Sequence, residues 1–187
     1  MTIQIDRSIP PFYSRAIGVV RGVIRISQFS RDITINTPDG IVLKGTIDEQ
    51  TQEKIIKRPE VLTTEADWLC WIRTESRDLS VIPRKFEIND KPSEDVDRFI
   101  ISGVNLGSRR EGVVCIGVRS SNPNVKRFWV KSHGYIPDNI IGGLYETECV
   151  RAGSRLYIVR SKLVGMTKKK DGTNRKKETP QRTKVLA

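Results

Sequence analysis

The chain of 187 residues carries 33 Lys plus Arg and 22 Asp plus Glu, which gives a formal net charge of +11. It has no run of about 18 apolar residues, which argues against a membrane-spanning helix, and its length suits one or two small domains. The charge is uneven, because ten basic and two acidic residues lie in 160–187, so this end carries +8. A polycationic end favours polyanionic partners such as nucleic acid. Because the basic tail lacks the large apolar residues that would anchor an interfacial helix, no membrane partner is expected.

The three cysteines, Cys70, Cys115 and Cys149, are odd in number, widely spaced and embedded in apolar strand-like runs. This usage is typical of buried free thiols in a reducing compartment. Residues 1–7 contain no apolar stretch of signal-peptide length. The sequence therefore predicts a cytoplasmic protein.

Period-2 alternation of apolar residues predicts a series of strands in the first half of the chain. An extended lead-in, 1–14, precedes them, because Pro10 and Pro11 disfavour a helix. A short helix is predicted over 48–57, acidic at its start, basic at its end and stopped before Pro59. The predicted strands span 16–27, 32–36, 41–47, 68–73 and 79–82.

The same order of elements recurs after a polar, proline-containing linker, 89–98. Gly22-Val23 aligns with Gly103-Val104, which follows 81 residues later. Pro137 and Gly142 reduce the helix of the first half to a turn over 136–141. Low identity between the halves leaves a true duplication open. The predicted strands span 99–106, 112–118, 125–131, 145–151 and 156–160.

The sequence thus predicts an all-β fold with one or two short helices, as small barrel-like modules over 15–88 and 99–165. The basic tail, 166–187, has too few apolar residues to fold alone and is predicted to be disordered. Three strands, a short helix and two strands resemble the OB-fold, a five-stranded Greek-key barrel, although SH3-like barrels give the same pattern. The resemblance implies oligonucleotide binding on one strand face and its bordering loops.

Patterns typical of enzymes are missing from the sequence. His133 is the single histidine, without a Cys or acidic residue at metal-ligand spacing, and the three cysteines form no CxxC pair. Neither of the glycine-rich phosphate-loop patterns occurs. The sequence therefore predicts a non-enzymatic protein with no catalytic residue, metal or cofactor.

A mixture of cations and aromatic rings points to nucleic acid, because cations contact phosphates and flat rings stack on unpaired bases. On one strand, Arg127, Trp129 and Lys131 share a face that we expect to be outside, opposite Phe128 and Val130 on the core side. The alternative is that Trp129 belongs to the core. Trp68 and Trp71 lie on opposite faces of their strand, so at least one is expected in the core. The predicted nucleic-acid contacts are Lys126, Arg127, Trp129, Lys131, Tyr145, Tyr157, Arg160, Lys162, Lys168, Lys169, Lys170, Arg175, Lys176 and Lys177.

Taken together, these patterns predict binding of RNA or single-stranded DNA by a barrel face and a cationic C-terminal arm. Duplex DNA is disfavoured, because no predicted helix has the basic face of a major-groove reader. Two alternatives remain open. One is a structural or adaptor subunit of a ribosome-like or other assembly that binds protein through its barrel, and the other is a small-molecule enzyme. The oligomeric state is open as well.

Overall fold

The computed structural model describes residues 3–5, 14–75, 78–108, 110, 112–119 and 127–166. Lys126 and the predicted basic tail beyond residue 166 lie outside these ranges. In the described part, ten strands form one sheet, accompanied by the helix α1 and a single 3₁₀ turn. The strands are β1 Arg15–Ile26, β2 Asp32–Asn36, β3 Val42–Thr46, β4 Ala66–Glu75, β5 Asp78–Glu87, β6 Arg98–Asn105, β7 Val113–Val118, β8 Phe128–His133, β9 Gly143–Ala152 and β10 Arg155–Met166; α1 spans Glu49–Ile56 and the 3₁₀ turn spans Pro59–Leu62.

The sheet closes on itself twice. In the first barrel the strands pair in the order β1-β2-β3-β5-β4 and back to β1, with β3 parallel to β5 and every other pair antiparallel. In the second barrel β6-β7-β8-β10-β9 pair in the same order, with β8 parallel to β10. The prediction of an all-β fold built from small barrels is confirmed.

Two glycines have the same role in the two barrels, as their alignment in the sequence suggests. A Cβ atom on Gly22 would lie 2.4 Å from the carbonyl oxygen of Asn36, and a Cβ atom on Gly103 would lie 2.4 Å from that of Gly117. Gly22 and Asn36 are 14 positions apart in the sequence, and so are Gly103 and Gly117. Only glycine lets the first strand of each barrel approach the second this closely.

Tryptophan and helix predictions are also confirmed. Trp68 is fully buried and donates its indole N–H to the carbonyl oxygen of Gly22 at 2.9 Å, whereas Trp71 on the opposite face is 45% exposed. Asp48 caps α1 by accepting a hydrogen bond from the backbone N–H of Thr51 at 2.7 Å. No helix in the described ranges is long and apolar enough to span a membrane.

β5 and β10 extend well beyond the predicted strands, 79–82 and 156–160. The β4–β5 register shifts at Leu69/Cys70, and the β9–β10 register shifts twice along β10. Each such irregularity breaks the apolar alternation on which a strand prediction rests, because a bulge adds one residue to one strand. The sequence pattern therefore ends before the strand does.

The two barrels are joined by pairing between their first strands. β1 and β6 run antiparallel over four residue pairs, from Arg15↔Ser102 to Gly18↔Phe99. Residues 3–5 and the linker cover the outside of this junction, where Ile3 and Ile5 pack in one buried cluster with Val19 and Ile100. The junction is therefore part of the hydrophobic core and not a flexible hinge.

Arg151 ties the two barrels and the linker together at a second point. Its side chain, only 2% exposed, donates to both carboxylate oxygens of Asp97 in the linker, at 2.6 and 3.0 Å. It also donates to the Asp39 carboxylate at 3.0 Å, in the β2–β3 turn of the first barrel, and to the Gly153 carbonyl at 2.9 Å. Burial raises the pKa of Asp39, but hydrogen bonds from Thr37 and Arg151 and the charge of Arg151 outweigh it, so this pKa lies below 3.8.

Replacing Arg151 by Met should lower the free energy of unfolding, because both carboxylates lose their partner. The side chains of Asp39 and Asp97 are 46% and 35% exposed, so water relieves part of the penalty. We expect a loss of about 1.5–3 kcal/mol, the range for hydrogen bonds to charged groups, rather than the ~3–5 kcal/mol of a fully buried pair. Urea denaturation near pH 7 measures this loss in the free energy of unfolding. A pH well above the lowered pKa of Asp39 is needed, because the stabilisation by its ion pair with Arg151 is lost as the pH falls through that pKa.

The matched control is Arg155→Met, which removes an exposed arginine nearby and should change stability by no more than about 0.5 kcal/mol. Equal stability of the two variants would contradict the structural role of Arg151.

Candidate functional site

A cleft of about 780 Å³ lies between the two barrels. The outer face of β7 and β8 forms its floor. The β6–β7 loop, the tip of the β4–β5 hairpin of the first barrel and the β9–β10 turn form its sides. The lining residues are Val113, Cys115, Trp129, Lys131 and His133 on the floor, and Leu106, Gly107, Arg110, Thr74, Leu79, Ser154, Arg155 and Leu156 around it.

Alternation along β8 determines which side chains reach the cleft. Val130 and Ser132 point inward and are fully buried, so Trp129, Lys131 and His133 point outward. The indole of Trp129 is 52% exposed. The predicted division of this strand into a core face and an outer face is confirmed, and the alternative of a core Trp129 is wrong.

One end of the cleft is an apolar surface around Trp129. Gly117 is the register partner of Trp129 on β7. A Cβ atom on Gly117 would lie 3.1–3.3 Å from the side chain of Leu106, so Leu106 lies across this glycine. Leu106 and Trp129 are both about half exposed, at 53% and 52%. These exposed side chains make this end of the cleft apolar.

His133 and Tyr157 form a pair of aromatic rings at the other end of the strand face. These residues are register partners on β8 and β10, and their rings stack with centroids 5.3 Å apart and an interplanar angle of 28°. Tyr157 is 40% exposed. Two aromatic surfaces therefore flank Lys131 on the same strand face.

The charge of the cleft has one sign. Arg110, Lys131 and Arg155 line it, and no Asp or Glu is among its lining residues in the described part of the chain. The side chains of Arg110 and Arg155 form no hydrogen bond or ion pair with any described residue. Cations that have no protein partner are available to an anionic ligand.

The first barrel contributes directly to the shape of the cleft. The backbone N–H of Lys131 on β8 donates to the hydroxyl oxygen of Thr74 on β4 at 3.0 Å, and the N–H of Leu79 donates to the carbonyl oxygen of Ser154 at 3.0 Å. These bonds hold the β4–β5 hairpin against β8 and the β9–β10 turn. The cleft is complete only when both barrels are present.

Tyr145 was predicted to contact nucleic acid, and this prediction is wrong. Its side chain is fully buried, because Tyr145, Thr147 and Cys149 form the inward face of β9. Its hydroxyl donates to the carbonyl oxygen of Pro137 at 3.2 Å and accepts the N–H of Ile140 at 3.0 Å. Tyr145 therefore stabilises the β8–β9 connection.

The other predicted contacts are not all brought together. Trp129 and Lys131 line the cleft, Tyr157 stacks on its floor, and Arg127 is exposed just before β8. Arg160 and Lys162 are exposed on β10 outside the cleft lining, opposite Glu148 and Glu146 in the β9–β10 ladder. The remaining predicted contacts, Lys126, Lys168, Lys169, Lys170, Arg175, Lys176 and Lys177, lie outside the described residues.

Sequence reasoning missed Arg110, Arg155 and the binding potential of His133. Arg155 lies in the short gap between the predicted strands 145–151 and 156–160, so its place at a turn beside a strand face was a usable signal. The wall formed by Thr74 and Leu79 had no such signal, because it depends on how the barrels pack.

Among the described residues, no group of three or more His, Cys, Asp or Glu could hold a metal ion. No protein-family model matches the chain, and no curated protein matches it either.

The cysteines differ in exposure, contrary to the prediction that all three are buried. All three are free thiols, and Cys70 and Cys149 are buried. Burial raises the pKa of Cys70, and it raises the pKa of Cys149 to about 12. Cys115 is half-buried on the outer face of β7 and lines the cleft, because it is the register partner of Lys131.

We therefore expect one thiol of the folded protein to react with DTNB much faster than the other two, since the thiolate is the reactive form. Cys115→Ser should remove this fast phase, whereas Cys70→Ser should leave it in place. A fast phase that survives Cys115→Ser would contradict the position of Cys115.

Proposed function

We propose that this protein binds single-stranded nucleic acid, RNA or single-stranded DNA, in the cleft between its barrels, without catalysing a reaction. The observation that carries the proposal is the composition of the cleft: two exposed aromatic surfaces and three cations, with no carboxylate among its described lining residues. Single strands need both components, because their bases are free to stack and their phosphates need countercharges.

The arrangement of the cleft suggests a role for each part. Bases would stack on Trp129 at one end and on the His133–Tyr157 pair at the other. The phosphates between them would lie near Lys131, Arg110 and Arg155. The cationic arm beyond residue 166 would add sequence-independent attraction, since phosphate contacts by Lys and Arg release counterions.

The position of the cleft on the barrel supports the same proposal. OB-type barrels bind oligonucleotides on the face of their second and third strands, between the loop joining strands one and two and the loop joining strands four and five. In the second barrel these parts correspond to β7, β8, the β6–β7 loop and the β9–β10 turn, which line the cleft. We propose on this basis that both barrels are of the OB type.

Duplex DNA fits the cleft poorly. The cleft has a volume of about 780 Å³, which is that of a pocket for a small ligand. A cleft of this size suits a few nucleotides of one strand. Reading a duplex requires a helix or β-ribbon that enters the major groove. The one described α-helix, α1, has Glu49 and Glu53 beside Lys54 and lacks a basic face.

Trp129→Ala should lower the affinity for a short oligonucleotide about 5- to 150-fold, because one base–aromatic stack is worth ~1–3 kcal/mol. The thermal midpoint should hardly change, since half of the indole is exposed. Fluorescence anisotropy with labelled oligothymidylate and oligouridylate at fixed salt measures the affinity.

The matched control is Trp71→Ala. Trp71 is also about half exposed, but it lies under the guanidinium of Arg84, 4.0 Å from its ring centroid, outside the cleft. Equal affinities of the two variants would place the ligand elsewhere. Competition by a mononucleotide as strong as by the oligonucleotide would instead favour a small-molecule site.

An adaptor role is the second candidate, and one observation favours it. β10 pairs with β8 only at Tyr157, and beyond this point Val159 and Met166 are 63% and 60% exposed. A strand edge without a partner among the described residues can accept a strand of another polypeptide. A protein partner that stays bound after nuclease treatment would favour this role.

A further inference from the structure

The outer face of the first barrel repeats part of the pattern of the cleft floor. Leu43 and Val130 are the buried residues that pair with Ile35 and Ile116 in the two barrels. The next residue is a lysine in both cases, Lys44 on β3 and Lys131 on β8. The preceding residue is half exposed in both, Val42 at 52% and Trp129 at 52%.

The cations on this face have no partner among the residues that the structure describes. Arg25, Thr34 and Lys44 are register partners across β1, β2 and β3, so their side chains lie side by side on one outer surface. Arg25 and Lys44 are exposed, and neither forms a hydrogen bond or ion pair with a residue in the described ranges. Among the described residues the row itself contains no carboxylate, and Asp32 lies on the same face of β2, two residues from Thr34.

The β4–β5 hairpin lies between the row and the cleft. Lys44 pairs with Ser80 on β5, and Ser80 pairs with Arg73 on β4. Because successive side chains of a strand point to opposite faces, Thr74 and Leu79, which line the cleft, lie on the other face of this hairpin. A ligand that contacts both the cleft and the row would therefore pass around the hairpin.

An exposed ring completes the comparison. The β1–β2 loop corresponds to the β6–β7 loop that borders the cleft. The β1–β2 loop carries Phe29, which is 97% exposed. The first barrel has Val42 where the second has Trp129, and Phe29 is an exposed aromatic ring of this barrel on which a base could stack.

We propose that Arg25 and Lys44 form a second phosphate-binding surface, which extends the single strand held in the cleft across the first barrel, with Phe29 stacking on a base. This inference rests on the proposed function and adds to it the path and length of the ligand. A short oligonucleotide would occupy the cleft alone, and a longer one would contact both barrels.

The test uses the full-length protein and labelled oligothymidylates of about 5 and about 20 nucleotides, lengths chosen around the ~4–16 nucleotides that one OB-type barrel covers. In the Arg25→Ala/Lys44→Ala variant, the slope of log affinity against log salt should become shallower by roughly 1.4 for the long oligonucleotide, since each phosphate contact contributes ~0.7. The slope for the short one should be unchanged.

Phe29→Ala should lower the affinity for the long oligonucleotide about 5- to 150-fold, the range for one stacked base, and leave the short one unaffected. The matched control, Lys54→Ala/Lys57→Ala, removes two charges from the end of α1 and should leave the salt slope for both lengths at the wild-type value. Unchanged thermal midpoints establish that each variant is folded.

A salt slope of the Arg25→Ala/Lys44→Ala variant equal to that of the wild type for the long oligonucleotide would overturn the second surface. So would an equal loss of slope in the control variant. If Trp129→Ala still weakens both oligonucleotides in that case, the proposed function of the cleft stands without the extension.

Discussion

The fixed junction of the two barrels is the constraint on which the rest of the structure depends. β1 and β6 pair along the junction, and Arg151 connects the β2–β3 turn, the linker and β9 through one buried guanidinium. This geometry places the β4–β5 hairpin against β8, where Thr74 accepts a hydrogen bond from Lys131. Without the junction, the outer face of β7 and β8 would be an open strand face with no opposite wall.

The two barrels share a framework but differ on their outer faces. The pairing order, the close approach at Gly22 and Gly103 and the lysine on the third strand are common to both. The second barrel has Trp129 where the first has Val42, and the first barrel supplies one wall of the cleft on the second. This difference makes the cleft the stronger candidate for stacking, and leaves to the first barrel a surface on which cations are the main feature.

The strands, α1 and a core position for at least one of Trp68 and Trp71 could be predicted from the sequence, because alternation and capping are local signals. Tyr145 shows where local signals stop: alternation groups it with Thr147 and Cys149, but which face of the strand is buried depends on the neighbouring strands. The role of Arg110 and the wall formed by Thr74 could not be predicted, since they require contacts between residues far apart in the chain. The prediction that Cys115 is buried was wrong because β7 is apolar on both of its faces, so the sequence does not show which face is outside.

The three tryptophans provide the most direct test of the central claim, that a single strand lies on Trp129. Trp68 is fully buried with its indole N–H bonded to Gly22, Trp71 lies under Arg84, and Trp129 faces the cleft. In ¹H–¹⁵N NMR spectra, titration with a short oligonucleotide should shift the indole signal of Trp129 in a saturable way and leave those of Trp68 and Trp71 in place. Saturable binding that leaves the Trp129 signal unmoved would contradict the account.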